Sequence, residues 1–184
     1  IKSKNKKLII ISNSSKRKKD SLNRLPSLGF STSFFEEIMT SGEMVWHAIA
    51  LSLEKYGKNL KKCFYMFDDS DDDASIYLEG LNDIDFVKDI SDADFILAST
   101  PYKNFKPIDY IPLLKKAHEK KLLMFCANPD FETVEKDANN KFCMGTIAQL
   151  YEDIGGKIVI LGKPNKEIYL EATRKLIDYP KNKI

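Results

Sequence analysis

The stretch "KIVILGKPNKEIYLEATRKL" (157–176) contains, in order, a short apolar run, a turn and a helix-like segment. The turn holds Gly162, Lys163 and Pro164, so its one cation stands where the predicted strand ends. Pro164 stiffens the exit from the turn and can begin the helix that follows. The stretch therefore predicts a strand–turn–helix unit with Lys163 at the carboxyl end of the strand.

Similar units alternate along the whole chain. The run "KLIII" (7–11) is continuously apolar, as expected of a strand that is buried on both faces, and it ends at Ser12. The segment "TSGEMVWHAIALSLEKYG" (40–57) opens with Thr40 and Glu43 in the spacing of a helix capping box. Further strand-like runs are "KCFYMF" (62–67), "DADFILAST" (92–100) and "LLMFCANP" (122–129). This alternation predicts an α/β fold with parallel sheets and crossover helices.

Two polar side chains stand at the carboxyl ends of predicted strands, where ligands gather in such sheets. Ser12 follows "LIII", and Lys163 follows "IVIL". Both would face one crevice if their strands belong to one sheet.

Composition sets limits on the class of protein. The chain has 184 residues, of which 43% are hydrophobic, enough for one or two globular units. No apolar run approaches the ~20 residues that span a bilayer. The three cysteines lack metal-ligand spacing, which favours free, buried thiols in a reducing cytoplasm. His47 and His118 lie in helix-like segments, so we interpret them as packed or solvated rather than as partners of a catalytic thiol.

The net charge is only +2, but the N-terminal region is strongly basic. Its cations are Lys2, Lys4, Lys6, Lys7, Lys16, Arg17, Lys18, Lys19 and Arg24. No aromatic residues interleave with "KRKK" (16–19), which favours a solvated basic face. An arm that binds a polyanion is the alternative.

An ordered set of motifs resembles one enzyme family. "SNSS" (12–15), "SGE" (41–43), "ANPD" (127–130), "YEDIGG" (151–156) and "GKP" (162–164) follow one another as in the haloacid dehalogenase superfamily, subfamily IIA, the nitrophenylphosphatase-like hydrolases. The resemblance covers nearly the whole chain. It implies a partial Rossmann-like core with a parallel sheet and an inserted α/β cap of the C2 type.

The resemblance also implies roles for the turn residues. Most members are Mg²⁺-dependent phosphomonoesterases in which an Asp attacks phosphorus. Ser12 matches the hydroxyl that donates to the phosphoryl oxygens, and Asn13 beside it would supply backbone contacts. Lys163 matches the lysine that neutralises nucleophile and phosphate, and Gly162 would leave room for the backbone to approach.

The domain organisation follows from the same resemblance. Residues 1–33 are predicted to form the first part of the core, 34–130 the C2-type cap, and 131–184 the second part of the core. Asn128 and Asp130 then either line the entrance to the site or form an ordinary turn, since Asn-Pro and Pro-Asp both favour turns.

The family's Asp-x-Asp nucleophile motif is not found in an appropriate position. The strings 83–85 and 92–94 follow no apolar strand and precede no glycine, so we reject them. The acidic run in "CFYMFDDSDDDAS" (63–75) is interpreted as a solvated loop, with adventitious cation binding as the alternative. The sequence therefore predicts no specific Mg²⁺ site and a catalytically incomplete chain, a piece of something longer.

The function expected from these observations is that of a phosphatase-type hydrolase acting on a small phosphorylated metabolite, inactive as this chain alone. A non-catalytic module that binds phosphate or a phosphorylated metabolite, or a remnant of a split gene, is the alternative. No nucleic acid or membrane partner is expected, and a homodimer through the cap is expected from the resemblance.

Overall fold

The computed structural model describes residues 7–52, 55, 60–68, 74–133 and 141–176. The strands in this part of the chain are β1 (Ile9–Ser12), β2 (Glu37–Thr40), β3 (Lys62–Met66), β4 (Asp85–Val87), β5 (Phe95–Ala98), β6 (Leu123–Cys126) and β7 (Lys157–Ile160). The α-helices are α1 (Lys18–Arg24), α2 (Ser41–Ser52), α3 (Ala74–Leu78), α4 (Ile111–Glu119), α5 (Met144–Asp153) and α6 (Lys166–Thr173). The predicted α/β class is confirmed.

The larger sheet has five parallel strands in the order β4-β3-β5-β6-β7. Along β5 the side chains alternate between two buried clusters, with Phe95 and Leu97 on one face and Ile96 and Ala98 on the other. This period of two is expected of a strand that is covered on both faces. The sheet is thus the central layer of three.

Helices cover both faces of this sheet. On one face, α4 and α5 contribute Leu114, Ile147 and Tyr151 to a cluster with Ile96 of β5. On the other face, α2 contributes Val45 and Ile49, and α3 contributes Tyr77. The described part of the chain therefore has its main core around β3, β5 and β6.

The smaller sheet pairs β1 with β2 in parallel, with Ser12 opposite Thr40. Helix α6 packs against it: Ile168 and Ala172, both fully buried, contact Met39 of β2. The residues of β1 are half-buried, so the prediction of a strand buried on both faces is wrong for the described chain. One face of β1 has α6, and no described cluster of buried residues covers the other.

The two strands that end at Ser12 and Lys163 belong to different sheets. β1 lies in the small sheet, whereas β7 is hydrogen-bonded to β6 in the large sheet. The condition that we stated for a shared crevice, one sheet holding both strands, is therefore not met. Any common crevice has to form between the two sheets.

The division at residue 130 falls between β6 and β7, which are paired strands of one sheet. The chain leaves the large sheet only after Ile160, and α6 then returns to the small sheet. The sheet topology consequently groups β3 to β7 in one unit and β1, β2 and α6 in another.

The helix signals in the sequence are reproduced locally. Thr40 Oγ1 accepts a hydrogen bond of 3.0 Å from the Glu43 N–H at the start of α2, as in a capping box. The Glu43 carboxylate binds other donors instead of completing the box. Among the described residues, no helix is long and apolar enough to cross a bilayer.

Candidate functional site

Three strand ends meet at the side chain of Asn13, the residue after β1. Its Oδ1 accepts a hydrogen bond of 2.7 Å from the N–H of Lys163, and its Nδ2 donates to the Lys163 carbonyl at 3.1 Å. The same Nδ2 donates to Oδ1 of Asp130, beyond the end of β6, at 2.8 Å. Residues that are 117 and 150 positions apart in the sequence are thereby brought together.

Gly162 permits this close approach because it has no side chain. A Cβ at this position would lie 2.7 Å from Asn13 Oδ1, 2.7 Å from Ser41 Oγ and 2.8 Å from Cγ of Pro129. Separations this short essentially never occur for real Cβ atoms, so a larger residue would push its neighbours away. The room at Gly162 is thus used by the Asn13 side chain, besides any backbone approach to a ligand.

Ser41 lies on the same side of Gly162. It is the first residue of α2 and is fully buried, and its Oγ has no hydrogen-bond partner among the described residues. A buried hydroxyl without a partner is uncommon in folded proteins. Ser41 belongs to the "SGE" motif (41–43), but the sequence assigned it no role at the site.

The turn that carries Lys163 is also held from its far side. The Asn165 N–H donates to the Gly162 carbonyl, and Asn165 Nδ2 donates to the Ile160 carbonyl, each at 2.9 Å. Asn165 Oδ1 accepts from the Glu167 N–H and so caps α6. The Lys163 backbone is therefore fixed by two asparagines, while its side chain is half-buried.

Ser12 is the half-buried last residue of β1. Its Oγ accepts a hydrogen bond of 3.1 Å from the Ser14 N–H, which shapes the turn after the strand. No described residue accepts the Ser12 hydroxyl proton. Ser12 precedes Asn13, whose side chain contacts the Lys163 backbone, and its pairing with the Lys163 ammonium stays a prediction.

The "ANPD" segment combines the two interpretations that the sequence left open. Asn128 Oδ1 accepts from the Asp130 N–H at 3.1 Å, which is the geometry of an Asx turn. The Asp130 carbonyl accepts from the Gly145 N–H at the start of α5, while its carboxylate binds Asn13. Asn128 therefore shapes the turn, and Asp130 extends from that turn into the site.

A second network holds the loop that follows Asn13, and sequence analysis did not predict it. Arg17 Nε donates to Glu43 Oε2 at 2.6 Å, and the Lys18 N–H donates to the same oxygen at 3.1 Å. His47 Nε2 lies 3.3 Å from Glu43 Oε1. The Arg17 guanidinium also lies 3.8 Å above the Trp46 ring centroid, a cation–π contact. These contacts attach the loop to α2.

The environment of Glu43 lowers the pKa of its carboxyl group. Burial by itself would raise the pKa of Glu43, but hydrogen bonds from His47, Arg17 and the Lys18 N–H lower it to about 2. The carboxylate is only 2% exposed and is ionised in the folded protein. A buried carboxylate is stable in this form because donors from two segments surround it.

Three cations of the basic N-terminal region have acidic neighbours, whereas Lys2, Lys4 and Lys6 lie outside the described residues. Lys7 pairs with Glu36, and Lys18 Nζ lies 3.9 Å from Glu37. Arg17 is engaged with Glu43 as described. The choice between a solvated basic face and a polyanion-binding arm stays a prediction.

The described residues do not fit a Mg²⁺ site of the kind that the family uses. No group of three or more His, Cys, Asp or Glu residues within them is arranged to hold a metal ion. At the site itself, one Oδ of Asp130 is already bound to Asn13. Most of the acidic run predicted as a solvated loop, residues 69–73, lies outside the described residues. We therefore derive no chemistry through a metal.

The rejected Asp-x-Asp strings lie away from the site. Asp85 begins β4, at the amino end of that strand. Asp94 Oδ2 accepts from the backbone N–H groups of Lys61 and Lys62, at 3.1 and 2.9 Å, at the amino end of β3. The candidate site is at the carboxyl ends of the strands, so the Asp94 carboxylate has a local structural role away from it.

Comparisons with solved structures identify the fold. No protein-family model matches the chain, and no curated protein matches it. A haloacid dehalogenase-like hydrolase from Brucella suis 1330 is 26% identical, with a TM-score of 0.81 over 96% of this chain and 61% of its own. A p-nitrophenyl phosphatase from Archaeoglobus fulgidus is 22% identical, with a TM-score of 0.59 over 95% of this chain and 63% of its own. A 4-nitrophenylphosphatase from Thermotoga maritima is 20% identical, with a TM-score of 0.62 over 99% of this chain and 65% of its own.

The fold is therefore that of the haloacid dehalogenase-like hydrolases, and the resemblance seen in the sequence is confirmed at this level. Its structural neighbours include nitrophenyl phosphatases and a putative NagD protein. The chain spans about three fifths of the length of the Brucella hydrolase that it matches.

Proposed function

We propose that this chain forms the phosphate-contacting and substrate-selecting part of a phosphatase-type hydrolase. The observation that carries the proposal is the contact of Asn13 with the Lys163 backbone, because it unites the two motif positions that bind phosphoryl oxygens in the family. In this proposal the Ser12 hydroxyl donates to a phosphoryl oxygen. The Lys163 ammonium neutralises the anion, as an electrostatic clamp on a transferring group would.

The substrate that this arrangement suits is a small phosphorylated metabolite. One hydroxyl and one ammonium can hold a single phosphate group, and the strand ends of the large sheet would contact the remainder of the molecule. The topology supports assigning β3 to β7 as the cap, with Lys163 just after the point where the chain leaves that sheet. The inserted cap then ends near residue 161 instead of at 130.

Hydrolysis requires groups that the described residues do not supply. Covalent catalysis in the family uses an Asp nucleophile, and an electrostatic clamp cannot replace it. We propose that the chain alone binds phosphate without turning over a phosphomonoester, and that specific Mg²⁺ binding requires carboxylates beyond those described. A non-catalytic phosphate-binding module is the second candidate, supported by the same contact.

Titration with inorganic phosphate, followed by amide NMR, tests the anion site. We expect shifts at Ser12 and Gly162 with a dissociation constant in the mM range, roughly −4 kcal/mol. Lys163→Ala should abolish them. Lys166→Ala, which removes the same charge from an exposed position three residues away, should leave them unchanged. Absence of any shift at tens of mM phosphate, or an unaltered affinity in Lys163→Ala, would refute the proposal.

A hydrolysis assay separates the two candidates. With 4-nitrophenyl phosphate and Mg²⁺ the chain alone should show no turnover above background. Turnover that disappears in Lys163→Ala would show that the chain is catalytically complete. The same chain supplied with the rest of a family core, if active, would favour the hydrolase over the binding module.

Two further properties complete the proposal. We propose a cytoplasmic location, because Cys63, Cys126 and Cys143 are all free and buried, as expected in a reducing compartment.

We also propose a homodimer through the cap. Strand β4 forms the edge of the large sheet and exposes Phe86, and an uncovered strand edge is a surface to which a second copy can pair.

A further inference from the structure

The side chain of Asn13 binds two distant chain segments, those of Asp130 and Lys163, and the residue is only 8% exposed. We propose that Asn13 is a positioning residue, whose amide fixes the Lys163 backbone against the end of β1 and whose orientation is set by Asp130. This role is distinct from direct contact with phosphate. Its consequence for phosphate binding rests on the proposed function, but the positioning itself does not.

The hydrogen-bond partners leave one orientation for the Asn13 amide. Oδ1 faces the Lys163 N–H, which can only donate, while Nδ2 faces the Lys163 carbonyl and the Asp130 carboxylate, which accept. A flipped amide would place its NH₂ against the N–H and its oxygen against two oxygens. The orientation is thus determined by the network.

Burial shows that the side chain has little capacity for another partner. Asn13 is only 8% exposed, and both of its polar atoms already have partners within the protein. The nearby Gly162 must remain without a Cβ for Oδ1 to fit. The Asn13 side chain is therefore committed to the Lys163 backbone and the Asp130 carboxylate, and in the proposed function Ser12 and the Lys163 ammonium are the groups that bind the anion.

The contact also joins the two sheets. Asn13 follows β1 of the small sheet, whereas Asp130 and Lys163 follow β6 and β7 of the large sheet. The turn that bears Lys163 is held from its other side by Asn165, so Asn13 supplies the side-chain contact that relates it to Ser12. Loss of the amide should therefore displace the Lys163 ammonium from the Ser12 hydroxyl without removing either group.

Hydrogen exchange of the Lys163 N–H tests positioning directly, without a ligand. In Asn13→Ala this amide loses its acceptor, and we expect exchange to become about tenfold faster or more. Asn23→Ala, at an exposed position of α1, is the matched control and should leave the rate unchanged. An unchanged rate in Asn13→Ala would overturn the proposal.

A pair of variants that exchanges the amide of Asn13 with the carboxylate of Asp130 provides a second test if Asn13→Ala does not fold. Asn13→Asp keeps an acceptor for the Lys163 N–H but sets a carboxylate against Asp130 and the Lys163 carbonyl. This repulsion should displace the side chain, so exchange of the Lys163 N–H should accelerate. Adding Asp130→Asn supplies an NH₂ that can donate to the new carboxylate, and we expect exchange of the Lys163 N–H to slow partly towards the wild-type rate. Additive effects of the two substitutions, with no recovery, would contradict the assigned contact.

The phosphate affinity of Asn13→Ala tests whether the position of the Lys163 backbone matters for anion binding. Asn13→Ala should weaken phosphate binding at least several-fold although Ser12 and Lys163 are intact. If the wild-type chain binds no phosphate, the proposed function fails while the exchange result still decides the positioning role. If phosphate binds equally well in Asn13→Ala despite fast exchange at Lys163, the link between position and affinity is refuted.

Discussion

Glu43 illustrates how a single buried charge holds the loop beside the site. Its carboxylate is only 2% exposed and binds Arg17, Lys18 and His47. Glu43→Gln would leave Arg17 without its anionic partner, so we expect a loss of about 3 kcal/mol in the free energy of unfolding. Urea denaturation measures it. Glu152→Gln on the exposed face of α5 is the control, and an equal loss in both variants would contradict this account.

The pKa of Glu43 gives this interaction a defined pH dependence. Its pKa falls from 4.5, the ordinary value, to about 2 in the folded protein. The ionised carboxylate therefore contributes its full stabilisation above pH 4.5 and loses it as the pH falls towards 2. The stability difference between wild type and Glu43→Gln should narrow over that interval. A difference that is constant across it would show that Glu43 is not preferentially ionised in the fold.

Gly162 is the residue at which size alone should matter. In Gly162→Ala the new Cβ would lie 2.7 Å from both Asn13 Oδ1 and Ser41 Oγ, so we expect a loss of about 1–3 kcal/mol from overpacking. The Lys163 amide signal should shift as Asn13 is displaced. Gly29→Ala is the comparison, because Gly29 has positive φ and no neighbour near its Cβ position. It should lose stability without moving the Lys163 signal.

The structural role of a residue was predictable from the sequence where its hydrogen-bond partners lie within a few positions along the chain. Thr40 at the start of α2, and Gly162 with Lys163 at the end of β7, follow from capping and turn patterns within a few positions. Lys163, which Asn13 binds, and Arg17, which Glu43 binds, lie 150 and 26 residues away, and no local pattern specifies these contacts. The buried, unpartnered hydroxyl of Ser41 has no signature in sequence at all.

At the scale of elements, helix α6 from the C-terminal part of the chain packs against the small sheet, which is formed by strands from the N-terminal part. Ile168 is fully buried against Met39, with Ile9 and Ile11 of β1 beside it. Ile168→Ala should therefore cost about 2–4 kcal/mol in thermal or urea unfolding. Leu170→Ala, on the same helix but 64% exposed, should change stability by less than about 0.5 kcal/mol. Equal effects would mean that α6 does not pack as described.

The edge strand β4 carries the prediction about association. Phe86 is 37% exposed on this edge, and a lysine there would place a charge where a second copy is proposed to pair. We expect sedimentation velocity to show a dimer for the wild type and a monomer for Phe86→Lys. Leu51→Lys, at a 77% exposed position on α2, should remain dimeric. A wild-type monomer at high concentration would refute association through this edge.

The elements were more predictable than their pairing. Apolar runs located β1, β3, β5, β6 and β7, because strands of a covered sheet need continuous apolar residues. The same runs could not indicate that β1 pairs with β2, since pairing depends on contacts over the whole chain. The run "KLIII" also overpredicted burial, because apolar character does not reveal how many neighbours a strand has.

At the scale of the described molecule, the side chain of Asn13 links the small sheet to the strand ends of the large sheet. The turn after β7 leaves the large sheet, contacts Asn13 beside the small sheet and leads into α6. The predicted crevice within one sheet is therefore replaced by a junction between two sheets. The ordered motifs indicated the haloacid dehalogenase-like fold that the solved structures confirm, whereas the boundary between the units depends on which sheet β7 joins.

A crystal of the chain soaked with tungstate, a phosphate analogue with a strong anomalous signal, tests the central claim most directly. We predict one dominant peak within hydrogen-bond reach of both the Ser12 hydroxyl and the Lys163 ammonium, and its loss in Lys163→Ala. A cavity of about 350 Å³ at the amino ends of β6 and β7, lined by His118, Lys121 and Lys157, offers a competing cationic position. A peak there, with none between Ser12 and Lys163, would contradict the account.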